Sequence, residues 1–336
     1  MAVKGYTQHL ANLQKNKSKL YNSFVQVTDE VASASVNLKT ITDKSGRLKL
    51  SAKSNAKFDG ALNKAAEKIK KATDKIIRTD IFTSVDVTKS PIDDIMINDM
   101  GEYLNRRVLT DLALNATRES IESQFKKIYK TADGKTHGYI GSLNGLKKTY
   151  AKDIKNLLEA GLREGRDIRE ISKDISVYAK GGKPAVSKRA PKYANAQISN
   201  KIDWKALRLS RTTIQGGVQD GLIIGAETSP SVTGFDWVLS PLHNRYSICE
   251  DIVAGNPWTY NDFTYNTPPH PNCLSSVSAR NMTRKKFLSD LKKWDGGEGK
   301  SIDYLDKWNK TYYEPSEKGQ AVKFPKLLDN NKKAAT

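Results

Sequence analysis

Between Asn55 and Thr79 the apolar residues keep a helical beat. Phe58, Leu62, Ala65, Ile69 and Ile76 recur at three- and four-residue steps and fall on one face. Lys64, Lys68, Lys71, Lys75 and Arg78 form a second stripe at the same spacing, about a third of a turn round. A segment patterned this way packs one side and presents a continuous cationic edge on another, so the chain must supply other helices to cover the apolar face.

The stripe belongs to a strongly basic chain. Lys and Arg outnumber Asp and Glu by 56 to 37, for a formal net charge of +19. Such a field attracts polyanions and repels copies of itself. Nucleic acid leads the partners that this charge favours, and an acidic protein surface or an anionic membrane satisfies the same field. The 336 residues are 38% hydrophobic and 28% charged, enough for folded units with their own cores. The first residues hold no apolar core of signal-peptide length, and no stretch reaches the roughly 18 apolar residues of a spanning helix. Reducing, cytoplasm-like surroundings are therefore expected, and two cysteines in so long a chain are no disulfide framework.

Elsewhere the pattern is read as follows. Residues 1 to about 55 are polar with short periodic patches, expected to form a loosely held arm or a few small elements. A new helix is expected to start at "SPIDD", with Ser90 as its cap and Pro91 in its first turn, and to run to about Tyr129 as one helix or two with a bend. Glycines in "TADGKTHGYIGSLNG" break it. Two helices joined at "GLREG" follow, the second opening with Asp167 and Glu170 at capping-box spacing. "GKPAVSKRAPKYANA" is the best linker. Residues 196 to 227 read as helix, with Ile198, Ile202, Ile214, Val218 and Leu222 inward, Lys201, Lys205 and Arg208 on another face, and glycines at 216, 217, 221 and 225 weakening it. Phe235, Trp237 and Leu239 alternate as in a half-buried strand. "CLSSVSA" reads as a short strand, "TRKKFLSDLKKW" as a helix, and the last twenty or so residues as a flexible tail.

Both cysteines and two of the four histidines fall within Leu242 to Cys273. His243, Cys249, His270 and Cys273 are a donor set that tetrahedral zinc prefers, and H-x-x-C with Pro271 inside makes a tight knuckle. Such an ion would staple a region with little apolar core of its own. Other readings of the same residues are two reduced thiols beside ordinary histidines, a Cys249–Cys273 disulfide under oxidation, or a turn stiffened by Pro268, Pro269 and Pro271 alone. "LHNR" and "PPHPNC" also contain parts of a metal-dependent nuclease site of the HNH kind, but no ligand neighbours His243 and no helix after His270 offers a second histidine. No phosphate-cradling glycine loop or nucleophile elbow is present.

Taken in order, "LLEAGLREGRDIREISKDI", "ALRLSRTTIQGGVQDG", "FDWVLSP", "HNRYSICEDIVAG" and "PPHPNC" resemble the phage Mu F-like head morphogenesis, or minor capsid, proteins over roughly residues 150 to 280. Ile252 stands where many members carry a second cysteine, and Leu274 and Ser275 follow Cys273 where C-x-C is usual. The resemblance implies a non-enzymatic, low-copy virion component inside the head near the portal, present in host cytoplasm during assembly. Its partners would be the portal protein, major capsid or scaffold protein, and double-stranded DNA held without sequence preference. The Lys64 to Arg78 stripe, Lys205 and Arg208 are the expected DNA contacts, and Arg211 and Thr212 are expected to stabilise the fold. A secreted effector carrying a Mu F-like domain is the remaining alternative.

The expected fold is α+β, predominantly helical, with a small β element and a Cys/His loop in the C-terminal half. The expected division is a mostly helical region with a basic arm over 1–145, a Mu F-like domain over 146–285, and a helix and tail over 286–336.

Overall fold

The structure is a computed structural model and describes residues 5–130, 136–180, 202–240, 248–296 and 301–324. The fold is α+β and predominantly helical. Ten α-helices are described: α1 (Tyr6–Ser35), α2 (Ala52–Met100), α3 (Arg106–Lys126), α4 (Tyr139–Arg163), α5 (Ile168–Ala179), α6 (Ile202–Thr228), α7 (Ile248–Ala254), α8 (Arg284–Asp295), α9 (Asp303–Trp308) and α10 (Glu314–Glu317). The strands form three two-stranded antiparallel sheets. They pair β1 (Thr40–Thr42) with β2 (Leu48–Leu50), β3 (Ile128–Lys130) with β4 (Thr136–Gly138), and β5 (Val232–Val238) with β6 (Ser276–Asn281). Among the described residues no helix is long and apolar enough to cross a membrane.

Two compact units are present. One comprises Met1–Leu13, Thr79–Tyr139 and Arg211–Thr336; the other comprises Gln14–Arg78 and Ile140–Ser210. Both are discontinuous in sequence, because α1, α2 and α6 each continue from one unit into the other.

In the second unit, Phe58, Leu62, Ala65 and Ile69 of α2 are buried with Leu20, Phe24 and Val31 of α1 and Tyr150, Ile154 and Leu157 of α4, and Ile76 packs against them. The expected apolar stripe is therefore the core stripe. The first 55 residues are not an arm: α1 runs for 30 residues. Its buried positions keep a helical period from Tyr6 to Val31, but His9, Asn16 and Thr28 occupy some of them, which hides the stripe from a hydrophobicity reading. Asn16 and Thr28 find partners inside the fold, as where Thr28 Oγ1 meets Phe24 O at 2.8 Å and Tyr150 OH at 3.1 Å. The α4–α5 joint forms at "GLREG", with Gly165 at φ +71° and hydrogen bonds from Gly165 N to Leu162 O and Arg166 N to Gly161 O. Asp167 Oδ1 caps Arg169 N at 2.8 Å, while Glu170 turns to Arg166 instead of closing a capping box.

In the first unit, the helix expected to start at Pro91 does not start there. α2 runs through Pro91 and stops at Met100, and α3 begins after the Asn105 cap, whose side chain accepts from Arg107 N. Proline removes the N–H that Val87 O would receive four residues earlier. Gly5, at φ +84°, comes so close to this carbonyl that a Cβ there would lie 2.2 Å from Val87 O. The glycines of α6 have a similar purpose. A Cβ on Gly217 would lie 2.6 Å from Ile81 Cδ1, on Gly221 2.7 Å from Val85 Cγ1, and on Gly225 3.0 Å from Lys89 Cε. The i, i+4, i+8 glycines form a groove that receives the matching ridge of α2.

The C-terminal segment expected to be a tail is packed as far as residue 324. Tyr312 and Tyr313, in the π-turn after α9, are buried with Phe287 and Leu291 of α8 and Met100 and Leu109, and Val322 and Phe324 lie against them. Tyr313 OH accepts from Asn105 N at 3.0 Å, and Trp308 Nε1 donates to Thr228 O at 2.8 Å. The aromatic content of "KWNKTYY" overrides its charge. The linker expected over residues 182–196, Ile198, Lys201 and the residues after 324 lie outside the described residues.

Candidate metal centre

β5 and β6 form the floor of the site, in register from Phe235 opposite Ala279 to Val238 opposite Ser276. The loop between them brings its own apolar core, contrary to expectation. Phe263, fully buried, lies 5.3 Å from the Phe235 ring and 5.7 Å from the rings of Trp237, Trp258 and Tyr265. Trp258 bridges Phe235 with two backbone hydrogen bonds of 2.8 Å. The Asn256 side-chain amide accepts from Trp237 N at 2.8 Å and donates to Trp237 O at 2.9 Å, so one residue substitutes for a strand partner. These contacts fix α7, and with it Cys249.

The far end of the loop is tied by a buried ionic knot. Lys127 Nζ donates to Asp220 Oδ2 at 2.8 Å and to Thr267 O at 2.8 Å. Gln124 Nε2 donates to Thr267 O at 3.1 Å, and Ser123 Oγ donates to Asp220 Oδ2 at 2.7 Å. Lys127 is pushed below the ordinary lysine range by burial and pulled back up by Asp220. Three elements, α3, α6 and the loop, meet here just ahead of "PPHPNC".

Cys249, His270 and Cys273 come together at that end. Cys249 Sγ lies 3.3 Å from His270 Nε2 and 3.6 Å from Cys273 Sγ, and the three donor atoms all fall within 4.8 Å of one another. Both thiols are reduced and fully buried, whereas the imidazole is partly exposed. Ligands on one tetrahedral zinc stand roughly 3.75 Å apart for two sulfurs and roughly 3.55 Å for sulfur and nitrogen, from bond lengths near 2.3 and 2.0 Å. The separations from Cys249, 3.3 Å and 3.6 Å, need shifts of only a few tenths of an ångström to match. Backbone geometry supports the cluster: Cys273 N donates to His270 O at 3.2 Å, and Asn272 takes φ 59°.

The electrostatics are those of a charged ligand set. The Cys273 thiol and then His270, both hydrogen-bonded to Cys249, hold its thiol below the ordinary cysteine range against the opposing effect of burial. Cys273 is raised by the same Cys249 contact and by burial. His270 is raised by its bond to Cys249, and His270 Nδ1 lies 3.0 Å from Pro271 O. Cys249, His270 and Cys273 thus behave as one coupled group. Such a group can hold a soft or borderline cation through two sulfurs and one nitrogen.

Of the four expected ligands the structure unites three; His243 lies outside the described residues. Among the expected DNA contacts, Lys64, Lys68, Lys71, Lys75 and Arg78 are all exposed along α2, with Lys68 paired to Glu30 at 2.6 Å and Arg78 to Asp74 at 2.9 Å. Arg208 is exposed on α6, and the side chain of Lys205 is not described. Thr212 has the structural part expected of it, since Asn272 N donates to Thr212 Oγ1 at 3.1 Å. Lys127, Asp220, Gln215 and Gln219 were not anticipated. The signal was available: polar residues inside "TTIQGGVQDGLII", a helix otherwise buried on all sides, must have buried partners. Comparison with family models, with curated proteins and with solved structures returns no match, so the site stands on its own geometry.

Proposed function

We propose that this chain is a minor head protein of a tailed phage, a non-enzymatic virion component that sits inside the capsid near the portal, after assembly in the host cytoplasm. It would bind the portal protein, with major capsid or scaffold protein as further contacts, hold packaged DNA without sequence preference, and assist head assembly and genome delivery. One observation carries the reading. The Arg-Thr pair, the Cys249 turn and the "PPHPNC" loop, in the order that resembles Mu F-like proteins, meet at one Cys/His cluster within one compact unit, with Thr212 accepting from Asn272 N. The metal we assign is zinc, because two cysteines and an imidazole gathered within 4.8 Å supply the donors it prefers, and His243 is the ligand we assign to the fourth position. Its work is structural, since both sulfurs are buried. Zinc would staple the Cys249 end of the loop to its His270–Cys273 end.

The test is direct. Mass spectrometry of purified particles should find the chain at low copy beside the portal, and co-expression with the portal protein should yield a complex. A protein missing from finished heads, or one that nicks plasmid in a chelator-sensitive way, overturns the assignment. The metal is tested separately: protein purified without chelator should carry one equivalent of zinc, and a content far below that removes the staple.

A further inference from the structure

Helix α6 has a polar stripe that packing alone does not require. Thr212, Gln215 and Gln219 fall at i, i+3 and i+7, on one face, and each grips the segment that ends the metal loop. Asn272 N donates to Thr212 Oγ1 at 3.1 Å. Gln215 Nε2 donates to Ser275 O at 2.7 Å. Gln219 Nε2 donates to Ser275 O at 2.7 Å and lies 3.6 Å from Cys273 Sγ, its second acceptor. The grip extends to α1, where His9 Nε2 meets Gln215 Oε1 at 2.6 Å and the Tyr6 hydroxyl donates to Leu274 O. His9, Gln215, Gln219 and Cys273 are all fully buried.

A neutral sulfur is a weak acceptor, and a buried amide gains little by pointing at one. The same N–H aimed at a thiolate is charge-assisted and about twice as strong. Gln219 is the described side chain that touches both the Cys273 sulfur and the backbone two residues beyond it. We propose that Gln219 is a positioning residue of the metal site, donating its amide N–H to the Cys273 thiolate and fixing that sulfur toward the ion. Thr212 and Gln215 anchor the backbone on either side. This rests on the metal reading above and adds to it the group that orients one ligand.

Partners of this kind typically set metal affinity by about 10–100-fold. The test compares full-length wild type, Gln219→Met and Gln215→Met, each loaded with Co(II) for spectra and with Zn(II) for chelator competition. Gln219→Met keeps the volume and loses the donor. It should shift the sulfur-to-cobalt charge-transfer band and weaken zinc binding by about 10–100-fold. Gln215→Met loses a bond to the same Ser275 carbonyl but none to sulfur, and should weaken zinc binding far less with the band unmoved. Equal losses in the two variants, or a Gln219→Met protein that matches wild type, overturn the proposal. Cadmium-113 NMR of the wild type gives a reading independent of folding in the variants: a Gln219 side-chain proton should couple through the hydrogen bond to the metal, and its failure to do so also overturns it. If wild type takes up no metal, the staple falls together with this inference. If wild type loads one equivalent and Gln219→Met is unaltered, this inference alone falls.

Discussion

Single buried polar residues hold the loop between β5 and β6 in place, and two of them make measurable predictions. His9 is buried with Nδ1 unpartnered, and its pKa lies below the ordinary imidazole value because burial disfavours the cation. The unfolded chain therefore takes up a proton at this position first, as pH falls through about 6.5. The stability from neutral His9 is complete above that pH and is lost below it, down to the folded pKa, by at most ~1.4 kcal/mol per pH unit. Urea unfolding at pH 7.5 and 5.5 should show a smaller acid loss in His9→Gln than in wild type; equal losses would show that His9 is not held neutral. Lys127 makes the stronger case. It is 4% exposed beside a fully buried Asp220, and breaking a buried pair strands the remaining charge. Lys127→Met should therefore cost about 3–5 kcal/mol in urea unfolding. Lys127→Met with Asp220→Leu should cost less than the two single changes added together, because each single change already includes the stranded partner.

Among the elements, the contact of α2 with α6 depends on residues that a propensity scale would count against the helix. Gly221→Ala should be favourable by up to about 1 kcal/mol on helix propensity alone. The added Cβ, however, meets Val85 Cγ1 at 2.7 Å, and the stiff β-branched side chain cannot swing away. Overpacking of about 1–3 kcal/mol should win, giving a lower thermal midpoint, and Val85→Ala in the same chain should recover part of the loss. The same contact shows what was legible in the sequence. The α2 stripe from Phe58 to Ile69, the α4–α5 pair, β5, β6 and α8 follow local periodicity and were readable from it. α1 was not, because His9, Asn16 and Thr28 take core positions whose hydrogen bonds are made to residues far along the chain or one turn back. Pro91 was misread as a helix start because proline suits a first turn, and the packing that carries α2 through it is not local. Cys249, His270 and Cys273 could be listed together from composition, whereas the grip of Gln219 on Cys273 needed the fold.

At the scale of the whole molecule, the net charge of +19 is the property most directly tied to the proposed place beside packaged DNA. If phosphate contacts dominate, log affinity falls linearly with log salt, with a slope of about −0.9 per contact on double-stranded DNA. The cationic edge of α2 is the natural place to look, and its members differ. Lys68 and Arg78 already face Glu30 and Asp74, so Lys64, Lys71 and Lys75 are the better probes. All three are exposed, and substitutions at such positions usually change stability by less than about 0.5 kcal/mol each. Lys64→Glu, Lys71→Glu and Lys75→Glu combined should leave the thermal midpoint near that of wild type and flatten the salt slope by about 2–3 units. The loss of affinity should be the same on unrelated DNA sequences, because charge that meets phosphate carries no base information. A wild-type affinity that survives high salt would mean that contacts other than phosphate hold the DNA. A triple variant with the wild-type slope would move the DNA-binding face away from α2, leaving its lysines as a solvated edge.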